Sequence, residues 1–121
     1  MGYGKDVQHE LQRPARDLRH AIPQVYEGFA HLHNAALEDG ALESKIKELI
    51  ALAISVSQEC DGCIASHARG AARRGATLEE VAEAIGVAIL MNGGPATVFG
   101  PRAFAAFGEY YADSYETPKA A

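Results

Sequence analysis

The stretch that decides the fold is residues 43–75, which read ESKIKELIALAISVSQECDGCIASHARGAARRG. In its first half, apolar residues recur at the spacing of an α-helix and share one broad face. They are Ile46, Leu49, Ile50, Ala53, Ile54 and Val56. This spacing predicts one helix over residues 43–57 and a second helix that begins near Cys60 and ends at Gly75. The stretch therefore favours two consecutive helices with no strand between them.

The rest of the chain carries helical signals as well. Helices are predicted over residues 23–38, 77–91 and 96–111, and a short helix or arm over residues 6–20. Residues 77–80 read TLEE, which has the form of a helix-starting capping box. Alanine, the best helix former, is the commonest residue, and the alternation of apolar and polar residues typical of strands is absent. The sequence predicts an all-α protein, a bundle of about six helices.

The length of 121 residues predicts one domain. We expect residues 1–20 to form an N-terminal arm or short helix, residues 21–112 the helical domain, and residues 113–121 a frayed tail. Pro14 falls inside the first segment, and proline disrupts a helix interior, so we expect it to kink or end that helix.

Charge and composition narrow the class of protein. The formal net charge is -5, whereas nucleic-acid binding usually needs a basic face, so no nucleic-acid partner is expected. Residues 1–20 carry seven charged residues and no apolar core of a signal peptide. The longest charge-free run, residues 84–101, is broken by NGGP at 92–95, too short on either side to span a membrane. These features predict a soluble cytoplasmic protein with no membrane partner.

The helix over residues 77–91 is apolar around most of its circumference, and a helix of that kind must be buried. The apolar positions are Val81, Ala84, Ile85, Val87, Ala88, Ile89, Leu90 and Met91. A single core in so small a chain has difficulty covering such a helix together with the one that follows. Burial against a second subunit covers it most simply, so a homo-oligomer is expected; a tightly wrapped monomer is the alternative.

The chemistry-bearing residues lie at the start of the helix that begins near Cys60. Cys60, Cys63 and His67 stand at i, i+3 and i+7, which share one helix face. A helix N-terminus lowers a thiol pKa, and the thiolate is the nucleophile. If the two helices of residues 43–75 pack antiparallel, Glu48 comes back alongside His67, where its carboxylate would orient the imidazole.

Other interpretations of this cluster remain open. The two cysteines could be small buried residues, or they could bind zinc with His67, in which case Glu48 or a distant histidine would be the fourth ligand. A thioredoxin-like motif needs a βαβ context, which this chain lacks. A redox-active dithiol on an all-α scaffold is the favoured interpretation.

Two further groups of polar residues are candidates for a role. His31 and His33 point about 200° apart on a helix and are not expected to share a metal; His31 is the one we expect to face the core or a pocket. Arg69, Arg73 and Arg74 form a small basic edge. That edge is a solvated face suited to a helix C-terminus, or a dock for an acidic reductant partner.

Four stretches together carry a resemblance to a known family: KELIALA at 47–53, CDGCIASH at 60–67, GATLEEV at 75–81 and MNGGPA at 91–96. They resemble the carboxymuconolactone decarboxylase/AhpD-like (alkylhydroperoxidase) family, from about residue 22 to residue 107. The combination of the glutamate with Cys-x-x-Cys-x-x-x-His is specific, whereas the cysteine pair alone is not. The resemblance implies an all-α fold that assembles into trimers or hexamers.

The resemblance also implies a catalytic site. In the alkylhydroperoxidase branch the second motif cysteine is the reactive thiol and the first resolves it, which corresponds to Cys63 and Cys60. The proton relay of the family corresponds to Glu48 and His67. Some members have a histidine next to the second cysteine, where this chain has Gly62, so the relay here is one group shorter. The substrate implied is a hydroperoxide, the reductant an external dithiol or protein, and no metal or other cofactor is required.

Two alternative functions remain. One is a lactone decarboxylase or isomerase of the same fold, in which His67 and Glu48 transfer protons; that branch generally lacks the cysteine pair. The other is a non-enzymatic oligomeric protein that binds zinc or a ligand, with Cys60 and Cys63 in a structural role.

Overall fold

The computed structural model describes residues 2–116, which contain six helices. They are α1 (Lys5–Ala21), α2 (Pro23–Leu37), α3 (Ser44–Ser57), α4 (Asp61–Arg73), α5 (Leu78–Asn92) and α6 (Gly94–Glu116). No strand occurs within the described residues. The prediction of an all-α fold of about six helices is therefore confirmed.

The two ends of the chain differ from the predicted helix limits. α1 continues through Pro14, which does not end the helix. Proline removes one backbone hydrogen bond, but Pro14 is exposed to solvent, so water can satisfy the carbonyl that loses its partner. α6 likewise continues through Pro101 and includes residues 113–116 of the predicted tail. The remainder of that tail, residues 117–121, lies outside the described residues.

The capping box predicted at the start of α5 is present. The Glu80 backbone N–H donates to Thr77 Oγ1 at 3.1 Å, and the Thr77 backbone N–H donates to Glu80 Oε1 at 2.9 Å. Glu80 also pairs with Lys45 of α3 at 3.0 Å. The bond from the Thr77 backbone and the Lys45 ammonium hold the pKa of Glu80 below its ordinary value. The cap thus fixes the start of α5 and ties it to α3.

The core lies between α3, α4, α5 and α6. Its largest fully buried side chains are Phe107, Leu52, Ile64, Val56 and Val81. Three of the four buried residues of α4 are alanines, and the middle of α6 buries two more; such small side chains let packed helices approach closely. These alanines are Ala65, Ala68, Ala71, Ala103 and Ala106. α4 is therefore held firmly by both α3 and α6.

α1 and α2 pack only lightly on this core, and neither buries a residue completely. α1 lies against α4, while α2 contacts α1 and the start of α3 only sparsely. α5 is also less buried than predicted in the single chain, because only Val81, Ile85 and Ala88 are covered. Leu90 and Met91 remain 79% and 78% exposed. Within residues 2–116, no helix is both long and apolar enough to cross a membrane.

Candidate functional site

The turn between α3 and α4 places the two cysteines at the start of α4. Glu59, two residues after the end of α3, adopts the left-handed conformation with φ of 56°, a conformation more often taken by glycine. Cys60 then caps α4, since its Sγ accepts a hydrogen bond from the Cys63 backbone N–H at 3.2 Å. Cys60 and Cys63 are joined by a disulfide, with their Cα atoms 5.2 Å apart. The i, i+3 spacing thus brings the two sulfurs together in the first helical turn.

The hairpin of α3 and α4 brings Glu48 beside His67, nineteen positions later in the chain. Glu48 Oε1 lies 2.7 Å from His67 Nδ1, and only 5% of Glu48 is exposed. Because Nδ1 faces the carboxylate, the neutral imidazole donates from Nδ1 and keeps its lone pair on Nε2. Glu48 therefore fixes the orientation of the imidazole, and its negative charge balances the positive charge that forms when His67 is protonated.

Gly70 makes room for the Glu48 carboxylate. A Cβ placed on Gly70 would overlap with both Glu48 oxygens. Gly70 stands one helical turn after His67 on α4, so the same face of the helix supplies the imidazole and the space beside it. The glycine is thus required by the packing of a functional side chain, and its backbone angles are those of an ordinary helix.

A second histidine, which the sequence pattern did not single out, lies at this site. His33 of α2 stacks on the His67 ring, with the ring centroids 5.9 Å apart and the planes 15° apart. Phe29, one turn earlier on α2, contacts the His33 ring at 6.2 Å. His31 was expected to face a pocket, but it is exposed and borders none of the cavities described here. The i, i+4 spacing of Phe29 and His33 was the available signal, since it places an aromatic ring and an imidazole on one face.

On the side of α6, Arg102 holds Asp61, which lies between the two cysteines in sequence. The Arg102 Nη1 donates to both Asp61 oxygens at 3.2 and 3.4 Å. The guanidinium also lies over the rings of Phe99 at 4.5 Å and Tyr3 at 5.1 Å. This arrangement ties the first turn of α4 to α6 and balances the carboxylate beside the disulfide.

The position of Gly62 is covered by α1. A Cβ on Gly62 would lie 3.2 Å from Leu11 Cδ1, the end of a flexible side chain. A larger residue at this position would therefore require Leu11 to move. α1 thus occupies the space beside Gly62.

Two cavities lie next to this cluster. The first borders Glu48, and both border His33, whose ring stacks on His67. The first, about 290 Å³, lies beside Glu48 and Gly70 and is otherwise lined by Gln8, His33, Ser66, Arg69, Arg73 and Arg74. The second, about 580 Å³, lies along α2 and also borders His33 and Ser66. Neither cysteine lines either cavity. The two cavities therefore share His33 and Ser66 in their linings, and Ser66 lies one helical turn after Cys63.

One wall of the first cavity is fixed by a partly buried hydrogen bond. Tyr110 donates its hydroxyl to Gln8 Oε1 at 2.6 Å, which joins α6 to α1. Burial, followed by the negative charge of Glu109, raises the pKa of Tyr110. Tyr110 is therefore a neutral donor at physiological pH and holds Gln8 in place.

A metal site finds no support in the described part of the chain. Residues 2–116 contain no group of three or more histidine, cysteine, aspartate or glutamate side chains placed to hold one ion. Cys60 and Cys63 have their sulfurs engaged with each other, and the Glu48 carboxylate is engaged by His67.

Comparison with known proteins finds relatives along most of the chain. An uncharacterized protein of Cupriavidus necator is 38% identical over 98 residues, covering 81% of this chain and 87% of that protein. A second uncharacterized protein, from the cox locus of Paracoccus denitrificans, is 40% identical over 85 residues, covering 70% and 77%.

Solved structures show the same fold. The crystal structure of an apo carboxymuconolactone decarboxylase family protein from Legionella pneumophila matches with a TM-score of 0.84 and 37% identity, covering 88% of this chain and 95% of that one. A Thermotoga maritima crystal structure matches with a TM-score of 0.74 and 26% identity, covering 88% and 99%. The sequence profile named "Carboxymuconolactone decarboxylase family" matches residues 23–109. The chain belongs to the carboxymuconolactone decarboxylase family.

Proposed function

We propose that the protein is a thiol-dependent hydroperoxide reductase of the AhpD-like type, in which Cys63 attacks the peroxide and Cys60 resolves the product. One observation carries the proposal: the Cys60–Cys63 disulfide stands at the N-terminus of α4, and His67, held by buried Glu48, follows on the same helix. This combination supplies a pair of thiols that can cycle, a helix end that favours the thiolate, and a base.

The reaction begins with the reduced dithiol. His67 draws the proton from Cys63, and the thiolate attacks the O–O bond of the hydroperoxide. The alcohol leaves with the proton, and Cys63 becomes a sulfenic acid. Cys60 then condenses with this sulfenic acid, forming the disulfide and releasing one water molecule. An external dithiol restores both thiols by exchange and is itself oxidised to a disulfide.

Glu48 and His67 serve as the proton relay of this reaction. Since Nδ1 of His67 is engaged by Glu48, Nε2 is the nitrogen that exchanges protons with the thiol. Gly62 supplies no titratable group, so the relay consists of these two residues alone. The dithiol reductant and its exchange with the protein disulfide fit a cytoplasmic location, where thiols are kept reduced.

Assembly into a homo-oligomer, a trimer or hexamer, is part of this proposal. The support is the exposed apolar surface on α2 and α5, because monomeric proteins seldom leave large apolar patches in water. On α2 it includes Val25, Phe29 and Leu32, each more than 60% exposed.

The test is intact mass combined with thiol alkylation, on reduced protein before and after one equivalent of cumene hydroperoxide. In wild type we expect both thiols to disappear together as one internal disulfide. In Cys60→Ser we expect Cys63 to gain one oxygen and to remain a sulfenic acid, because no second thiol is present to form the disulfide. In Cys63→Ser we expect Cys60 to remain alkylatable.

Two outcomes would contradict the proposal in different ways. If both wild-type thiols remain alkylatable after minutes with peroxide, the peroxidase activity is wrong. If Cys63→Ser is oxidised and Cys60→Ser is inert, the chemistry stands and the roles of the two cysteines are reversed.

A second candidate is favoured by the first cavity, which borders Glu48 but neither cysteine. In a lactone decarboxylase or isomerase, Glu48 and His67 would transfer protons and the thiols would be dispensable. Decarboxylation of carboxymuconolactone that persists in Cys63→Ser and is lost in Glu48→Gln would favour this candidate over the reductase.

A further inference from the structure

We propose that the cavity beside Glu48 binds the carboxylate of an amphiphilic organic acid, with Arg69 and Arg73 as its ligands. The role of this acid as the natural hydroperoxide substrate rests on the proposed function. The binding of a carboxylate does not, because it follows from the charges and shape of the cavity.

The cavity is positive in a chain that is acidic overall. Arg69, Arg73 and Arg74 line it together with a single carboxylate, that of Glu48. Glu48 is engaged by His67, while the three guanidinium groups form no ion pair within residues 2–114. The formal net charge of the chain is -5, so a cluster of three unpaired cations around one small cavity is a local feature. Arginine is the side chain best suited to bind a carboxylate, because its fork donates two parallel hydrogen bonds.

Helix-end electrostatics explain only part of this cluster. Arg73 and Arg74 stand at the C-terminal end of α4, where a cation stabilises the helix without any ligand. Arg69 lies a full turn earlier, outside the last turn. Asp113 of α6 borders a neighbouring cavity shared with Arg69 and Arg73, but its carboxylate is bound by Lys5 Nζ at 2.7 Å.

Gln8 adds a neutral donor to the same wall. Its Oε1 accepts the hydrogen bond from Tyr110, and its NH₂ group has no partner within the described side chains. An amide NH₂ beside two guanidinium groups completes a set of donors, and Glu48 is the one carboxylate among the residues that line this cavity. The cavity of about 290 Å³ is large enough for a carboxylate and the first part of a chain.

The spacing of Arg69 and Arg73 from Cys63 along α4 sets the expected length of the ligand. Arg69 and Arg73 follow Cys63 by six and ten residues, which is roughly 9 to 15 Å along the helix axis. The second cavity shares His33 and Ser66 with the first, lies along α2 and has Phe29, Tyr26 and Ala30 in its walls. A carboxylate on the arginines would therefore be followed by an apolar chain, with the reactive group two to three helical turns from the acid end.

The binding test compares an acid with its neutral amide on the oxidised protein. Octanoate and octanamide have the same chain and differ in charge, and their affinities are measured by calorimetry at low salt. We expect octanoate to bind about tenfold or more tightly than octanamide, as expected for charge-assisted hydrogen bonds. The preference should disappear in Arg69→Gln/Arg73→Gln and weaken as salt is raised.

Arg13→Gln/Arg16→Gln is the matched control, because it removes the same two charges from exposed sites on α1 that border neither cavity. It should bind octanoate like wild type, and circular dichroism should show the same helix content in every variant. Equal affinities for acid and amide overturn the proposal. An octanoate preference that survives in the double arginine variant overturns it equally.

The activity test uses the 9-hydroperoxide of linoleic acid and its methyl ester, whose peroxide stands about two helical turns from the acid end. We expect wild type to be oxidised about tenfold faster by the acid than by the ester, and Arg69→Gln/Arg73→Gln to lose this difference. If both compounds oxidise wild type at the same rate, the carboxylate has no role in the substrate. If neither the acid nor the ester oxidises wild type, the reductase proposal fails. The proposal that the cavity binds a carboxylate is then tested by octanoate binding alone.

Discussion

The Glu48 carboxylate lies against Gly70 in a space that any Cβ would fill. This contact connects three features of the site. The carboxylate holds His67, and the helix that carries His67 also carries Gly70. The cavity proposed to bind an acid opens beside Glu48 and Gly70. Glycine in a helix interior costs roughly 0.5–1 kcal/mol relative to alanine, so this packing is obtained at the expense of helix stability.

Gly70→Ala is expected to destabilise the protein even though alanine is the better helix former. The added methyl group must displace the Glu48 carboxylate, which leaves His67 without its partner and slows thiol oxidation by peroxide. Gly108→Ala on α6 is the control, because nothing lies within 4 Å of a Cβ there. We expect Gly108→Ala to gain roughly 0.5–1 kcal/mol in the free energy of unfolding, measured with urea. If both variants become more stable and react with peroxide at the wild-type rate, the proposed positioning role of Gly70 is wrong.

Glu48→Gln keeps the size of the side chain and removes its charge. The amide can still contact His67 Nδ1, but it cannot balance the imidazolium that forms during proton transfer. We expect the rate of thiol oxidation to fall by about 10²-fold, within the range of general acid–base catalysis, measured by stopped-flow alkylation of reduced protein. Glu83→Gln, at an exposed position on α5, should react like wild type. An unchanged rate in Glu48→Gln would remove the glutamate from the relay.

His33 is expected to act as a positioning residue through its stacking on His67. His33→Ala removes the stacked ring and should lower the rate of thiol oxidation several-fold, whereas His33→Phe keeps a ring in place and should restore most of it. The readout specific to this role is the NMR spectrum of the His67 imidazole, which should shift with His33→Ala and less with His33→Phe. His31→Ala, at the exposed histidine on the same helix, should change neither quantity.

The sequence predicted this fold well because its signals were local. Helical periodicity, the TLEE cap at 77–80 and proline positions each depend on neighbouring residues, and they gave six helices with limits close to those observed. Pro14 was the exception, because the cost of a proline depends on whether water reaches the freed carbonyl. The pairing of Glu48 with His67 was within reach for the same reason, since a short turn joins the two helices that carry them.

His33 and Gly70 escaped prediction because their roles depend on distant contacts. Nothing within α2 distinguishes His33 from His31 except the position of Phe29, and the ring that His33 contacts lies on another helix. Gly70 looks like a weak point in a helix until the Glu48 carboxylate is placed against it. Spacing along one helix identifies residues that share a face, whereas the partner of that face comes from tertiary packing.

Acidification is expected to weaken the link between α3 and α5. The pKa of Glu80 lies below its usual 4.5 because the carboxylate accepts the Thr77 N–H and pairs with Lys45. A group with a lowered pKa in the folded state stabilises it above the unfolded pKa, and this contribution is lost as pH falls through the folded value. Wild type should therefore lose more stability than Glu80→Gln between about pH 5 and the lower pKa. Thermal unfolding across this range measures the difference, and parallel curves for the two proteins would contradict it.

The exposed apolar side chains of α2 and α5 predict that the chain is not a monomer in solution. Leu90 and Met91 are almost completely exposed in the single chain, next to Val87, which is more than half exposed. Light scattering coupled to size exclusion is expected to give a mass of three or six chains. Leu90→Glu/Met91→Glu should dissociate the assembly, because two charges would have to be buried without partners. Leu42→Glu, in the segment between α2 and α3, places a charge on an apolar residue that is half exposed and should leave the mass unchanged. A wild-type mass of one chain at micromolar concentration would show that the monomer tolerates this surface in water. The prediction of a homo-oligomer would then be wrong.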